Sequence, residues 1–280
     1  MSEALMPMPT YELDTPVARG GASVAERDLT VERELFGTTF QVLGSVEEAS
    51  ERIADMVGSD AAASVFTCNV DHVMLMRKHQ GFRAAYQRSA FVTADGSPIV
   101  TTAKWAGQPL GVRVTGADLV PALAATAARR QLRVAFVGGA EGVGAEAGRR
   151  LKAANPDLQI VLTVSPAMGF QDGDEADVQL MQQLRFTRPD IVVVCFGAPR
   201  QELWIDKHAP SLPGTVFLGA GAALDFVAGR QTRAPQFIQR IGMEWMHRLA
   251  TNFGRLWRRY LVQDSQFVFV AARELVRQRA

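Results

Sequence analysis

The chain has 280 residues, 48% hydrophobic and 21% charged, with a formal net charge of +1; this is ordinary globular composition at a length for one large domain or two small ones. Neither a fixed-period repeat nor a Pro/Gly-rich stretch is present, and the two cysteines stand far from any second ligand, which argues against a solenoid, a disulfide framework and a zinc site. The charge is unevenly spread: residues 230–280 carry ten Arg, no Lys and three acids, a net of +7, against −6 for the remainder, so an anionic partner such as phosphate, nucleic acid or a membrane surface is expected at one end.

In chain order, residues 1–27 open on an acid, carry scattered Pro and Gly, and lack a basic start followed by an apolar stretch. They are expected to form a loose tail without a leader sequence. Short β-rich runs follow at Ser64–Cys68, Ala90–Thr93, Arg133–Gly138, Gln159–Val164, Ile191–Gly197 and Thr215–Gly219. Helix-compatible segments alternate with them at Asp71–Gln87, Gly116–Arg130, Gly142–Ala154, Asp174–Arg185 and Gln201–His208. That alternation predicts repeated βαβ units, an α/β fold with a Rossmann-like, mostly parallel sheet flanked by helices over residues 28–229. The longest apolar runs, Ile191–Phe196 and Phe267–Ala272, fall far short of the ~18 residues that span a bilayer, so a soluble or peripheral cytoplasmic protein is expected. Cys68 and Cys195, each near the end of an apolar stretch, read as small buried fillers.

Parallel sheets bind ligands beyond the carboxyl ends of their strands, and four such ends are rich in chemistry. Thr67, Asn69, Asp71 and His72 follow the first run; Asn69 or Asp71 can touch a ligand, cap the next helix, or both. Asp95 follows Ala90–Thr93 and precedes Gly96, which suits either a general base or a turn and helix start ahead of Pro98. The glycine-rich stretch 137–144 opens a helix and could face a phosphate, but no acid ends the following strand to hold a ribose, so an NAD-dependent oxidoreductase is only an alternative. Asp172 and Asp174, with Glu175 and Asp177, read as a solvated first helical turn and not as a metal site. The last segment, 230–280, is an Arg-rich amphipathic helical appendage: Ile238, Trp245, Leu249, Phe253, Leu256 and Tyr260 share one arc, and Arg240, Arg248, Arg255, Arg258 and Arg259 another. All-Arg usage fits diphosphate binding and docking on a membrane surface. A peripheral adaptor that binds anionic lipid would use the same tail, but would leave the strand ends unexplained; the body has no basic face to support nucleic-acid binding.

Taken together, Thr67-x-Asn69, Ala94-Asp-Gly96, Arg113-Val-Thr-Gly116, Gly197-x-Pro-x-Gln-Glu202, Gly219-x-Gly-x-x-x-Asp225 and Arg233-Ala-Pro with Glu244-Trp resemble the WecG/TagA/CpsF family of bacterial glycosyltransferases, from about Phe36 to Leu261. The resemblance implies inverting, metal- and cofactor-independent transfer of a hexose or N-acetylhexosamine from a UDP-sugar to a polyprenyl-diphosphate-linked sugar, on the inner face of the cell membrane. It implies Asp95 as the base, Thr67 and Asn69 in the same pocket, Gln201 at the donor, Asp225 at the uridine and Arg113 at the sugar diphosphate. Tail arginines, Arg233, Arg240 and Arg248 first among them, would balance the departing diphosphate, with Arg255, Arg258 and Arg259 for diphosphate or membrane; assembly into a homo-oligomer is left open. Three departures from the family pattern stand near these motifs: Arg200 in place of Lys, Asp71-His72 in place of Glu, and Asn252-Phe-Gly254 without the Pro often found before the following Arg.

Overall fold

A computed structural model describes residues 31–167, 169–232, 234–235 and 266–279. The first 30 residues and Arg233, Arg240, Arg248, Arg255, Arg258 and Arg259 lie outside that set, and the expectations placed on them with it.

The chain opens on a hairpin of β1 (Glu32–Leu35) and β2 (Thr38–Gln41). Its two-residue turn, Phe36 and Gly37, has φ of 56° and 82°, the paired positive angles that match the twist of a tight hairpin. Helix α1 (Val46–Asp55) follows, capped by Ser45, whose side chain accepts from the Glu48 N–H. The remaining strands are β3 (Ala63–Cys68), β4 (Phe91–Ala94), β5 (Arg133–Gly138), β6 (Gln159–Val164), β7 (Ile191–Cys195) and β8 (Val216–Gly219). They form one parallel sheet in the order β4-β3-β8-β7-β5-β6, as the alternation predicts.

Helices pack on both faces because the central strands are apolar on both; every residue of β7, Ile-Val-Val-Val-Cys, is buried. One face is covered by α2 (Val70–Lys78), α3 (Gln80–Arg88), α4 (Ser97–Trp105), α7 (Glu175–Thr187) and α8 (Arg200–His208), around Phe66, Phe82, Tyr86, Trp204 and Phe217. The other is covered by α1, α5 (Gly116–Arg129), α6 (Val143–Ala154) and the short α9 (Ala223–Val227), around Ile53, Leu123, Phe136 and Leu224. Each such side chain contributes about 1.5–3 kcal/mol by leaving water. The last described helix, α10 (Phe267–Arg277), docks on the first face: Phe267 and Val270 join its core, and the Phe267 ring lies 5.5 Å from that of Phe36.

The segment Asp71–Gln87, expected as one helix, is two. His79 breaks it at φ −123°, ψ 102°, and its Nδ1 accepts from the Phe82 N–H at 3.2 Å, so the residue that ends α2 caps α3. The hairpin and α1 were not anticipated, and α4 was anticipated only as the alternative of a helix start ahead of Pro98.

Candidate functional site at the strand ends

The parallel register sets β3 and β4 side by side, with Thr67 opposite Thr93 and Cys68 opposite Ala94. The next residues, Asn69 and Asp95, therefore leave the sheet together, and the Asp95 N–H donates to the Cys68 carbonyl at 2.8 Å. Asn69 caps α2, its Oδ1 accepting from the His72 N–H at 3.1 Å. Asp95 is half-buried. Gly96, at φ 128°, takes the N-cap position of α4 and turns the chain directly after the carboxylate. The negative charge of Asp95 is felt inward: burial pushes the Cys68 thiol and the Tyr86 phenol well up, and Asp95 adds to both shifts.

Thr67 is buried beside the end of β8, with its hydroxyl 3.5 Å from the Gly219 carbonyl. Arg113 is brought to the same edge by backbone pairing: the Val114 N–H donates to the Ala94 carbonyl at 3.0 Å, and the Thr93 hydroxyl donates to the Val114 carbonyl at 2.9 Å. Two residues on, Gly116 starts α5 against the β8 loop, where an added Cβ would come within 2.8 Å of the Ala220 carbonyl oxygen. The strand ends of β3, β4 and β8 thus share one edge with Arg113.

Gln201, 1% exposed at the start of α8, ties the loops after β7 and β8 together. Its Oε1 accepts from the N–H groups of Gly197 (3.3 Å) and Gly221 (3.0 Å), while its Nε2 donates to Glu202 Oε1 at 2.8 Å. Both ends of the amide are engaged within the protein, where they join the two loops. Asp225 lies half-buried on α9, beyond Gly219 and Gly221; its carbonyl accepts from the Arg230 and Gln231 N–H groups. Its charge, after burial, helps push the Cys195 thiol at the end of β7 up to about 12. Both cysteines are buried, as fillers should be.

Glu202, next to Gln201, is fully buried, with Oε2 lacking a hydrogen-bond partner among the described residues. Burial pushes its carboxyl up to about 7. Around it, His72 Nδ1 lies 4.0 Å from Oε1 and 2.6 Å from the Tyr86 hydroxyl. The sequence reading missed this buried polar cluster. The signal was present: Trp204 and Ile205 mark the inward face of α8, and residues three and four positions earlier, Gln201 and Glu202, share that face.

The glycine-rich loop after β5 is explained by close packing. Gly138, at φ 103°, would put a Cβ 2.5 Å from the Cys195 carbonyl oxygen, and the Gly139 N–H donates to that same oxygen at 3.0 Å. Arg200 sits in an aromatic seat formed by the loops after β6 and β7. Its guanidinium lies 4.0 Å above the Phe170 ring and 5.4 Å from that of Phe196, and it donates to the Phe170 carbonyl. A planar cation is suited to that stacking in a way that Lys is not.

One expectation is corrected at α7. Asp177 is not on a solvated turn: it is 2% exposed, and Trp204 Nε1 and the Gly173 N–H donate to it at 2.7 Å each. Asp172, Asp177 and His208 form a group whose ligand atoms lie within 4.8 Å of one another. Those atoms are already occupied by protein donors, since Lys207 and His208 also bond Asp172. Asp174 caps α7, accepting from the Asp177 N–H.

An open parallel α/β sheet with acid, amide and hydroxyl side chains gathered at its carboxyl edge defines the class of enzymes that bind ligands beyond their strand ends. The sequence model of the WecG/TagA/CpsF glycosyltransferase family matches residues 33–280, and the chain belongs to that family. It is 34% identical over 200 residues to a protein of Bacillus spizizenii named N-acetylglucosaminyldiphosphoundecaprenol N-acetyl-beta-D-mannosaminyltransferase, covering 71% of this chain and 75% of the relative. It is 25% identical over 238 residues to a protein of the same name from Staphylococcus aureus, covering 84% and 91%. The chain is therefore a glycosyltransferase, which sets aside the oxidoreductase and adaptor alternatives as primary functions.

Proposed function

We propose that the protein transfers an N-acetylhexosamine or hexose, with inversion, from a UDP-sugar to a sugar carried on a polyprenyl diphosphate, at the inner surface of the cell membrane. The observation that carries this reading is the joint exit of Asn69 and Asp95 from adjacent strands, beside Thr67 and Arg113, in a chain whose relatives are named for transfer to a lipid-diphosphate sugar. Asp95 takes the proton of the acceptor hydroxyl as that oxygen bonds the anomeric carbon. The bond to UDP breaks with its electron pair, and UDP leaves from the opposite side. Arg113 with Arg233, Arg240 and Arg248 balances the growing negative charge in place of a divalent cation. Thr67 and Asn69 position the acceptor side. Asp225 contacts the uridine, and Gln201 holds the loops after β7 and β8 around the donor.

A positioned base contributes about 10²–10⁴ in rate. Asp95→Asn should lose turnover by that factor in a purified donor-by-acceptor assay while keeping its melting temperature and its affinity for UDP. Turnover near wild type would remove Asp95 from the mechanism.

A further inference from the structure

A second concentration of positive charge lies away from the strand ends, where α10 crosses the body. A cavity of about 410 Å³ opens between α10, α2, α3 and the hairpin turn, and the exposed Arg77, Arg83, Arg273 and Arg277 line it. Glu274 also lines it, and Phe36, Val73 and Val270 supply apolar wall. Of the four guanidiniums, Arg277 is compensated, by Glu34 at 2.6 Å and more weakly by Glu274 at 3.9 Å. Among the described residues Arg83 donates only to the Met76 carbonyl, at 3.1 Å. Arg77 and Arg273 have no hydrogen-bond or carboxylate partner among the described residues. Like charges gathered around one concavity repel, and an anion relieves that repulsion.

The surface beside the cavity is also unusual. On α10 the large side chains Val268, Phe269 and Val276 are exposed. At about 100° per residue they form, with Ala272, one apolar arc next to Arg273 and Arg277 and opposite the docked residues Phe267 and Glu274.

We infer that this cavity is a second anion site, which takes a phosphate group between the arginines of α2, α3 and α10. Arg forms paired, charge-assisted bonds to phosphate oxygens, and the cavity has room for a substituted phosphate against its apolar wall. The same chemistry is offered by a phospholipid headgroup and by a small soluble phosphate ester; the exposed arc beside the site favours the headgroup. The inference stands apart from the transfer site, which lies at the other end of α2, and it does not use the arginines between 233 and 259.

The test uses the full chain and two probes: glycerol phosphate followed by thermal shift at fixed ionic strength, and flotation with phosphatidylcholine vesicles with and without phosphatidylglycerol. Arg77→Gln with Arg273→Gln is compared with Lys152→Gln and Arg185→Gln, which remove the same charge from exposed positions elsewhere. The pocket variant should bind phosphatidylglycerol vesicles more weakly by about fivefold for each arginine lost, and the control should match wild type. Both should retain transfer to a detergent-dispersed acceptor, a separate readout of the proposed reaction. If instead glycerol phosphate alone distinguishes the two variants, the site is one for a soluble ester. If the variants bind both probes alike, whether as wild type or equally weakened, there is no such site and only diffuse charge acts.

Discussion

Glu202 is a carboxyl whose burial is costly and whose replacement is informative. Folding takes its carboxyl from an ordinary value near 4.5 up to about 7, because burial disfavours the charge. Below about pH 4.5 the group is protonated in folded and unfolded chains alike and has no effect. Between there and pH 7 the unfolded chain releases a proton that the folded chain keeps, so stability falls as pH rises, by on the order of 3 kcal/mol in all. Glu202→Gln keeps an acceptor for Gln201 and removes the charge. It should melt with wild type near pH 4 and higher than wild type at pH 8, by roughly 5–10 °C; a gap that does not change with pH would rule out a buried titrating carboxyl. Residue chemistry was only partly legible beforehand. Asn69 and Asp95 could be placed because each directly follows a strand run, whereas Arg113 was named only by the family resemblance and reaches the same edge through the backbone pairing of Val114. The inward turn of Gln201 and Glu202 was missed, since a polar pair at a helix start ordinarily suggests solvent; Trp204 and Ile205, one turn on, were the signal that reverses that.

Among the elements, the six parallel strands were readable because strands covered on both faces are continuous apolar runs with glycine or polar residues at their ends. The hairpin was not, because Glu32-Arg-Glu-Leu and Thr38-Thr-Phe-Gln mix charged and apolar residues, and its turn puts Phe36 where Asn or Gly is usual. Helix α1 was missed although its buried positions are periodic, because they are few and mostly small, Ala49, Ser50 and Ala54 beside Ile53, among Glu47, Glu48, Glu51, Arg52 and Asp55. Helix α10 depends on few anchors. Phe267→Ala removes one of its two buried apolar side chains, a loss of about 3 kcal/mol if the helix stays in place. Local release is the easier outcome, so amide exchange should rise across residues 267–277 while β7 and β8 stay protected. Protection retained in α10 would mean that Arg277 and Gln278, which bond Glu34, hold it without the aromatic anchor.

At the scale of the whole molecule, a near-neutral chain divides into a mildly acidic body and a basic last segment, a distribution suited to handling anions at one side. Ligand specificity separates a UDP-sugar enzyme from a dinucleotide enzyme directly. UDP at a hundred times its dissociation constant should raise stability by about 2.7 kcal/mol, and NAD should raise it by nothing; stabilisation by NAD alone would contradict the donor assignment. Ala234 and Phe267 are both buried, so the chain meets the same body on either side of residues 236–265. A truncation from residue 236 onward therefore also strips α10 from the first face, and replacement of single arginines is the experiment that isolates their contribution.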